Sequence, residues 1–340
     1  MCVPDVVDGN QLVISCELDF LNGAKSFEDF PRNATKTLSL RCLSHKHETI
    51  FSDDMFEEFK TLRDLKISNC HGTELPANTF RGLLKLEYLY LSELSLDKSA
   101  TTKSLIISSQ LFHPIKSLQK LTLTNSAIRD FPDGLFCPFT DLKILNLTTN
   151  NLSSTKLEQS NEKCELSQLI ILDLSGNVIE SIRANDLSAY PSLRQFIIVG
   201  NGISDIHEDA FKSLTMLQHL DFENNELKEM IILPESVLHL NLAKNKLANI
   251  PASVANLKKL VYANFNNNKI DSNTPFSLQT ETLETLDLSN NLLDSVPLKI
   301  IQSSYSNILS LHLSNNQIAV LQPSQFQNLS KLSKHLKQWE

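Results

Sequence analysis

Leucines and polar residues alternate over short stretches, and the stretches recur along nearly the whole chain. In Leu172–Ile179, LDLSGNVI, Leu172 and Leu174 alternate with Asp173 and Ser175, followed by Asn177. Period-2 alternation over so few residues predicts a short strand with one buried face. The full pattern is LxxLxLxxNxL. Its fourth position falls at Leu38, Leu65, Leu89, Leu121, Leu145, Leu172, Phe196, Leu220, Leu240, Ala263, Leu286 and Leu311, at spacings of 27, 24, 32, 24, 27, 24, 24, 20, 23, 23 and 25 residues. A repeat of about 20–29 residues with this consensus is a leucine-rich repeat.

The fold class expected is therefore an α/β leucine-rich-repeat solenoid, a curved horseshoe. It has a parallel concave sheet, an irregular or short helical convex side, and a disulfide-closed N-terminal cap. Asn150, Asn177, Asn201, Asn225, Asn245, Asn268, Asn291 and Asn316 share one turn position. Their amides can pair main-chain groups that each turn leaves open, forming a ladder. The return path carries FxxLxxL, as in Phe80, Leu83, Leu86 and Phe211, Leu214, Leu217. One coil cannot bury its own apolar face, so neighbours must cover it. The expected organisation is a cap at 1–35, about twelve repeats over 36–332 and a tail at 333–340, where SKHLKQWE breaks register.

Cysteine positions follow the same registry. Cys137 and Cys164 each lie five residues before the first consensus leucine of adjacent repeats, Leu142 and Leu169. Equal registry in neighbouring coils stacks them about one strand spacing apart, within reach of a disulfide. Cys42 and Cys70 occupy nearly equivalent positions in the first two repeats, and Cys2 with Cys16 would close the N-terminal end. Three bridges imply an oxidising compartment. Four Asn-X-Ser/Thr triplets, headed by Asn33, Asn146, Asn151 and Asn328, agree with an extracellular glycoprotein.

The formal net charge of −8 argues against a nucleic-acid partner, which favours a basic stripe. No run of eighteen apolar residues is present, so no membrane contact is expected from this stretch itself. No P-loop, GxGxxG, nucleophile elbow or HExxH occurs. His45 and His47 flank Lys46 without further ligands at metal spacing, and the cysteines lack CxxC. No catalytic residue, metal or cofactor is expected, and a binding role is.

Candidate contact residues are outward strand positions that carry apolar or aromatic side chains. Ile144, Ile171, Ile197 and Val199 would form an exposed apolar patch, with Asn146 and any glycan beside it. Tyr88 and Tyr90 sit next to the swollen third repeat, and tyrosine is favoured at recognition surfaces. The insert 94–112 has Leu94 where the consensus asparagine belongs. Removing residues 96–108 should weaken partner binding and leave thermal unfolding nearly unchanged. His219 and His239 hold equivalent positions and read as two neutral histidines on a solvated sheet; Asp221, Glu223 and Asp287 read as an ordinary acidic face.

The irregular repeats are the specific ones. SLRCLSH and LKISNCHG carry Cys42 and Cys70, SELSLDKSATTKSLIISSQLF swells the third repeat, and FPDGLFCPFTDLKILNLTTNNLSS precedes the segment with Cys164. This order resembles the N-terminal part of an invertebrate Toll receptor ectodomain of the long 18-wheeler and Tollo type, over residues 1 to about 330 and most specifically over 36–180. The resemblance implies the extracellular side of a type I membrane protein that binds an extracellular protein ligand or another cell-surface receptor, with a homodimer open. It implies signalling through a cytoplasmic TIR domain in development, cell adhesion or innate immunity. The alternative is a secreted soluble repeat protein, a matrix or decoy binder. Small leucine-rich proteoglycans carry a dense four-cysteine N-terminal cluster that is absent here, and LxGxIP of plant receptors is absent too.

Overall fold

The computed structural model describes residues 2–7, 11–27, 30–43, 48–95, 105–157, 164–229, 232–273, 278–329 and 331. His45, His47, residues 96–104 of the insert and the tail at 333–340 lie outside them. The chain divides into two compact units, Met1–Val178 and Ile179–Glu340.

The first unit opens with an antiparallel hairpin, β1 (Cys2–Val7) and β2 (Gln11–Leu18), whose register sets Cys2 opposite Cys16. From β2 onward every pairing is parallel, through β3 (Thr35–Cys42), β4 (Asp64–Ser68), β5 (Tyr88–Ser92), β6 (Lys120–Thr124), β7 (Ile144–Asn146) and β8 (Ile171–Asp173). Their registers align Leu38, Leu65, Leu89, Leu121, Leu145 and Leu172 in one fully buried row. Behind that row runs a phenylalanine spine. Phe27, Phe56, Phe80, Phe112 and Phe136 succeed one another at centroid distances of 5.3, 6.2, 6.5 and 6.1 Å. One ring per coil fills the wide return side, which leucine alone would leave loose.

The second unit repeats the plan with three-residue strands: β9 (Gln195–Ile197), β10 (His219–Asp221), β11 (His239–Asn241), β12 (Tyr262–Asn264), β13 (Thr285–Asp287) and β14 (Ser310–His312). Phe196, Leu220, Leu240, Ala263 and Leu286 form its buried row, with Leu311 half-buried in the last strand. The return side is turns and short 3-10 segments, with one four-residue α-helix, Leu298–Ile301, among the described residues. The molecule is a leucine-rich-repeat solenoid of about eleven turns.

The asparagine ladder is present. Asn177 donates from Nδ2 to the carbonyls of Leu174 (2.8 Å) and Leu147 (3.1 Å) and accepts the Leu152 amide at 3.0 Å. The residue before each rung has positive φ: Thr149, Gly176, Gly200, Asn224, Lys244, Asn267, Asn290 and Asn315. Only the left-handed conformation bends the chain there, which accounts for glycine or asparagine at most of these positions. Earlier rungs are replaced. Ser126 Oγ accepts the Leu94 amide and donates to the Thr124 carbonyl, Leu94 is fully buried, and Cys70 is bridged to Cys42 with a Cα–Cα distance of 4.9 Å. The other bridges join Cys2 to Cys16 and Cys137 to Cys164, at Cα–Cα distances of 4.0 and 5.1 Å.

The structure corrects one expectation about the insert. Ile106–Ile107 pairs in parallel with Glu74–Leu75, and Leu105 and Ile107 are buried. Residues 105–108 thus belong to the fold, and a deletion reaching them removes core as well as surface.

Candidate partner-binding surface

From β4 onward, strand alternation turns the first and third residues of each strand away from the buried leucine row, although Thr122 in β6 is itself covered. In the first unit Tyr88 stands between Asp64 and Lys120, and Tyr90 between Lys66 and Thr122. Tyr88 is 42% exposed. The Lys66 ammonium lies 4.8 Å from the Tyr90 ring centroid, a cation–π contact that fixes both side chains on this face. Beside them, burial raises the Asp64 carboxyl above its usual range; Glu87 adds to this, and a hydrogen bond from Thr37 and the charge of Arg63 oppose it.

The isoleucine patch differs from expectation. Ile171 sits beside Ile144 in register, yet Ile144, Ile171, Ile197 and Val199 are all half-buried. Alternation sets the direction of a side chain but not its exposed area. Neighbouring strands stand about 4.8 Å away on its flanks, with Lys120 in register beside Ile144 and Asp221 beside Ile197. The pairs also fall in different units.

The second unit contributes an arrangement that sequence reasoning only half found. His219, His239 and Tyr262 occupy one register position of three adjacent strands. The two imidazoles stack at 4.4 Å between centroids with planes 7° apart, and Tyr262 continues the column at 6.2 Å and 27°. His219 is held below the usual imidazole range, first by burial and then by His239. Burial raises the Tyr262 phenol, a hydrogen bond with Asn264 opposes this, and the charges of Asp287, Asp221 and Glu223 raise it further. Glu223 accepts from Lys244 Nζ at 2.8 Å and Asn241 Nδ2 at 3.1 Å, and the Lys244 contact lowers its carboxyl. The signal in the sequence was that 219, 239 and 262 each immediately precede a core residue, 220, 240 and 263.

Asp221 and Asp287 also serve the backbone. Each accepts the amide two residues on, from Glu223 (2.9 Å) and Ser289 (2.8 Å). Asn146, Asp173, Asn241 and Asn264 do the same in their coils. This Asx turn lets the chain leave the strand with its first amide satisfied. Among the described residues no group of three or more His, Cys, Asp or Glu is placed to hold a metal ion. No described helix is long and apolar enough to cross a membrane. Of the four sequon asparagines, Asn33 and Asn328 are exposed, and Asn146 and Asn151 are half-buried.

Comparison with known proteins places this surface in context. The family model described as Leucine Rich Repeat matches residues 282–304 and 307–329. Toll-like receptor 7 of Drosophila melanogaster is 25% identical over 214 residues, 60% of this chain and 15% of that protein. Podocan of Mus musculus is 26% identical over 323 residues, 87% of this chain and 50% of that protein. The chain thus spans half or less of the length of these relatives. In the solved complex of Drosophila Toll with Spätzle, the matching chain superposes with a TM-score of 0.71 at 17% identity, covering 95% of this chain and 45% of that one. The chain is a leucine-rich-repeat protein whose sequence and structural neighbours include Toll-like receptors at low identity.

Proposed function

We propose that the chain is the ligand- or receptor-recognition region of a Toll-type transmembrane receptor, on the extracellular side of the plasma membrane. It acts by protein–protein binding upstream of signalling in development, cell adhesion or innate immunity. The observation that carries this reading is the irregular first unit. The Cys42–Cys70 bridge, the enlarged third repeat and the Cys137–Cys164 bridge follow one another in an order that resembles that of Toll ectodomains, and Tyr88 and Tyr90 stand on the open face between the two bridges. Tyrosines held by a packed scaffold give contact area at low entropic cost. Partner contact is assigned to that face and an extracellular protein or second receptor to the partner.

The secreted alternative has one specific support: similarity to podocan runs through 87% of the chain. Reading the transcript past codon 340 separates the two. A hydrophobic span of about 20 residues followed by a TIR domain is expected; a stop codon directly after a C-terminal cap would overturn the receptor reading. Glycosylation is assigned to Asn33, Asn146, Asn151 and Asn328. Glycopeptide mapping of chain secreted from animal cells should find Asn33 and Asn328 occupied most fully, because a transferase needs an accessible amide. Uniformly bare sites would contradict the extracellular assignment.

A further inference from the structure

We propose that the His219–His239–Tyr262 column is an acid-labile docking surface for a Lys/Arg-bearing segment of a protein partner, held at neutral pH by Asp221 and Asp287 and released as the histidines take up protons. This rests on the reading of the strand face as a protein-binding surface and extends it to a second site, its partner chemistry and its control.

Charge complementarity identifies the occupant. The outward strand positions of β9 to β14 hold Asp221 and Asp287 and no lysine or arginine. Glu223 follows directly, and the cation at the adjoining turn, Lys244, is spent on it at 2.8 Å. Asp221 and Asp287 hold the third positions of β10 and β13, two residues along from the ring positions and on either side of the strand that carries Tyr262. The surface is thus a flat column of ring edges with an acidic margin. A guanidinium or ammonium with its aliphatic stem matches both parts, because the stem covers ring area and the head reaches the carboxylates. A nucleic acid meets the wrong sign.

The histidines supply the control. His219 faces Gln195 on one side and His239 on the other, and His239 faces His219 and Tyr262. Along the strands Asp221 and Glu223 follow His219, Asn241 and Lys244 follow His239, and Asp287 lies between Asn264 on one side and His312 on the other. No fixed cation separates the two rings. Burial and the charge of His239 both oppose a proton on His219. Its Nδ1 is buried without a hydrogen-bond partner, so a proton there has no acceptor in place. Protonation adds positive charge beside the carboxylates, pushes the rings apart and repels a bound cation.

The test uses the full chain and a fluorescent nonapeptide of alternating arginine, glycine and tyrosine, with a glutamate-for-arginine control. Two variants have precedents within the fold: glutamine already fills the His219 position at Gln195, and asparagine fills the Asp221 position at Asn241. Moving from about pH 7.4 to about pH 5.5 should weaken basic-peptide binding by about tenfold. His219→Gln/His239→Gln should hold that change under about twofold. Asp221→Asn/Asp287→Asn should bind weakly at both pH values, with unchanged circular dichroism. The proposal is overturned if the pH response persists without the histidines, if binding ignores the aspartates, or if the glutamate peptide binds better. Each of those outcomes leaves the receptor reading to its own test in the transcript.

Discussion

Replacing Asn245 by alanine is expected to destabilise its coil by about 3–5 kcal/mol, far more than any surface asparagine. Asn245 is 7% exposed and holds four main-chain groups at once. Its Nδ2 donates to the carbonyls of Phe222 (2.9 Å), Leu242 (3.1 Å) and Ala243 (3.1 Å), and its Oδ1 accepts the Leu227 amide at 3.0 Å. A buried main-chain group left unsatisfied costs about 1–3 kcal/mol, and alanine offers none of them a partner. Asn245→Asp is the sharper variant. It keeps an acceptor for Leu227 but turns a carboxylate towards three carbonyl oxygens, so it should be no milder. In a stack coupled only to nearest neighbours the damage stays local. Hydrogen exchange should therefore accelerate at Leu227 and at Lys246, whose amide bonds the Leu227 carbonyl at 2.8 Å. Exchange far away, at Leu65 or Leu89, should be unaltered. A loss below about 1 kcal/mol would mean that water replaces the side chain and that the ladder is not a stabilising device.

The ladder was legible in the sequence because it is one-dimensional: a fixed residue at a fixed phase. The cysteine pairings share that property. Cys137 and Cys164 come together because equal phase in adjacent coils is adjacency in space. Legibility ended where a contact depends on two phases at once. Leu105 and Ile107 looked like irregular insert, yet a return-side pairing with Glu74–Leu75 buries them, and a two-residue strand has no period to detect. Ile144, Ile171, Ile197 and Val199 show the opposite failure. Their phase was right and their exposure was not, because flanking residues from other strands decide the area. The Asx turns were in plain view at Asn146, Asp173, Asp221, Asn241, Asn264 and Asp287, but an outward polar residue gives no sign that its oxygen is turned back to the chain. The His219–His239–Tyr262 column needed only that its three positions be compared, though ring planes and carboxylate placement required coordinates.

The phenylalanine spine makes the second large effect predictable. Phe112 is fully buried and touches three other rings, Phe80 at 6.5 Å, Phe136 at 6.1 Å and Phe139 at 5.1 Å between centroids. Phe112→Ala should cost about 3–5 kcal/mol through lost burial and an unfilled cavity. Lost ring geometry adds about 0.5–1.5 kcal/mol for a pair. The spine runs along the stacking direction, so removing a middle ring weakens the interfaces on both sides of one coil. Denaturant unfolding followed by hydrogen exchange should then show amides of β4 and β5 opening separately from those of β7 and β8, where the intact spine opens them together. Phe112→Leu keeps most of the volume and should cost about 1–1.5 kcal/mol with cooperativity retained. Reducing the Cys137–Cys164 bridge, which closes a 27-residue separation, should cost about 3 kcal/mol by a different route. It frees the unfolded chain and leaves the packed rings alone, so stability should fall while the two sets of amides still open together. If Phe112→Ala and reduction behaved identically, the spine would be filler, and the coupling between coils would reside in the strands alone.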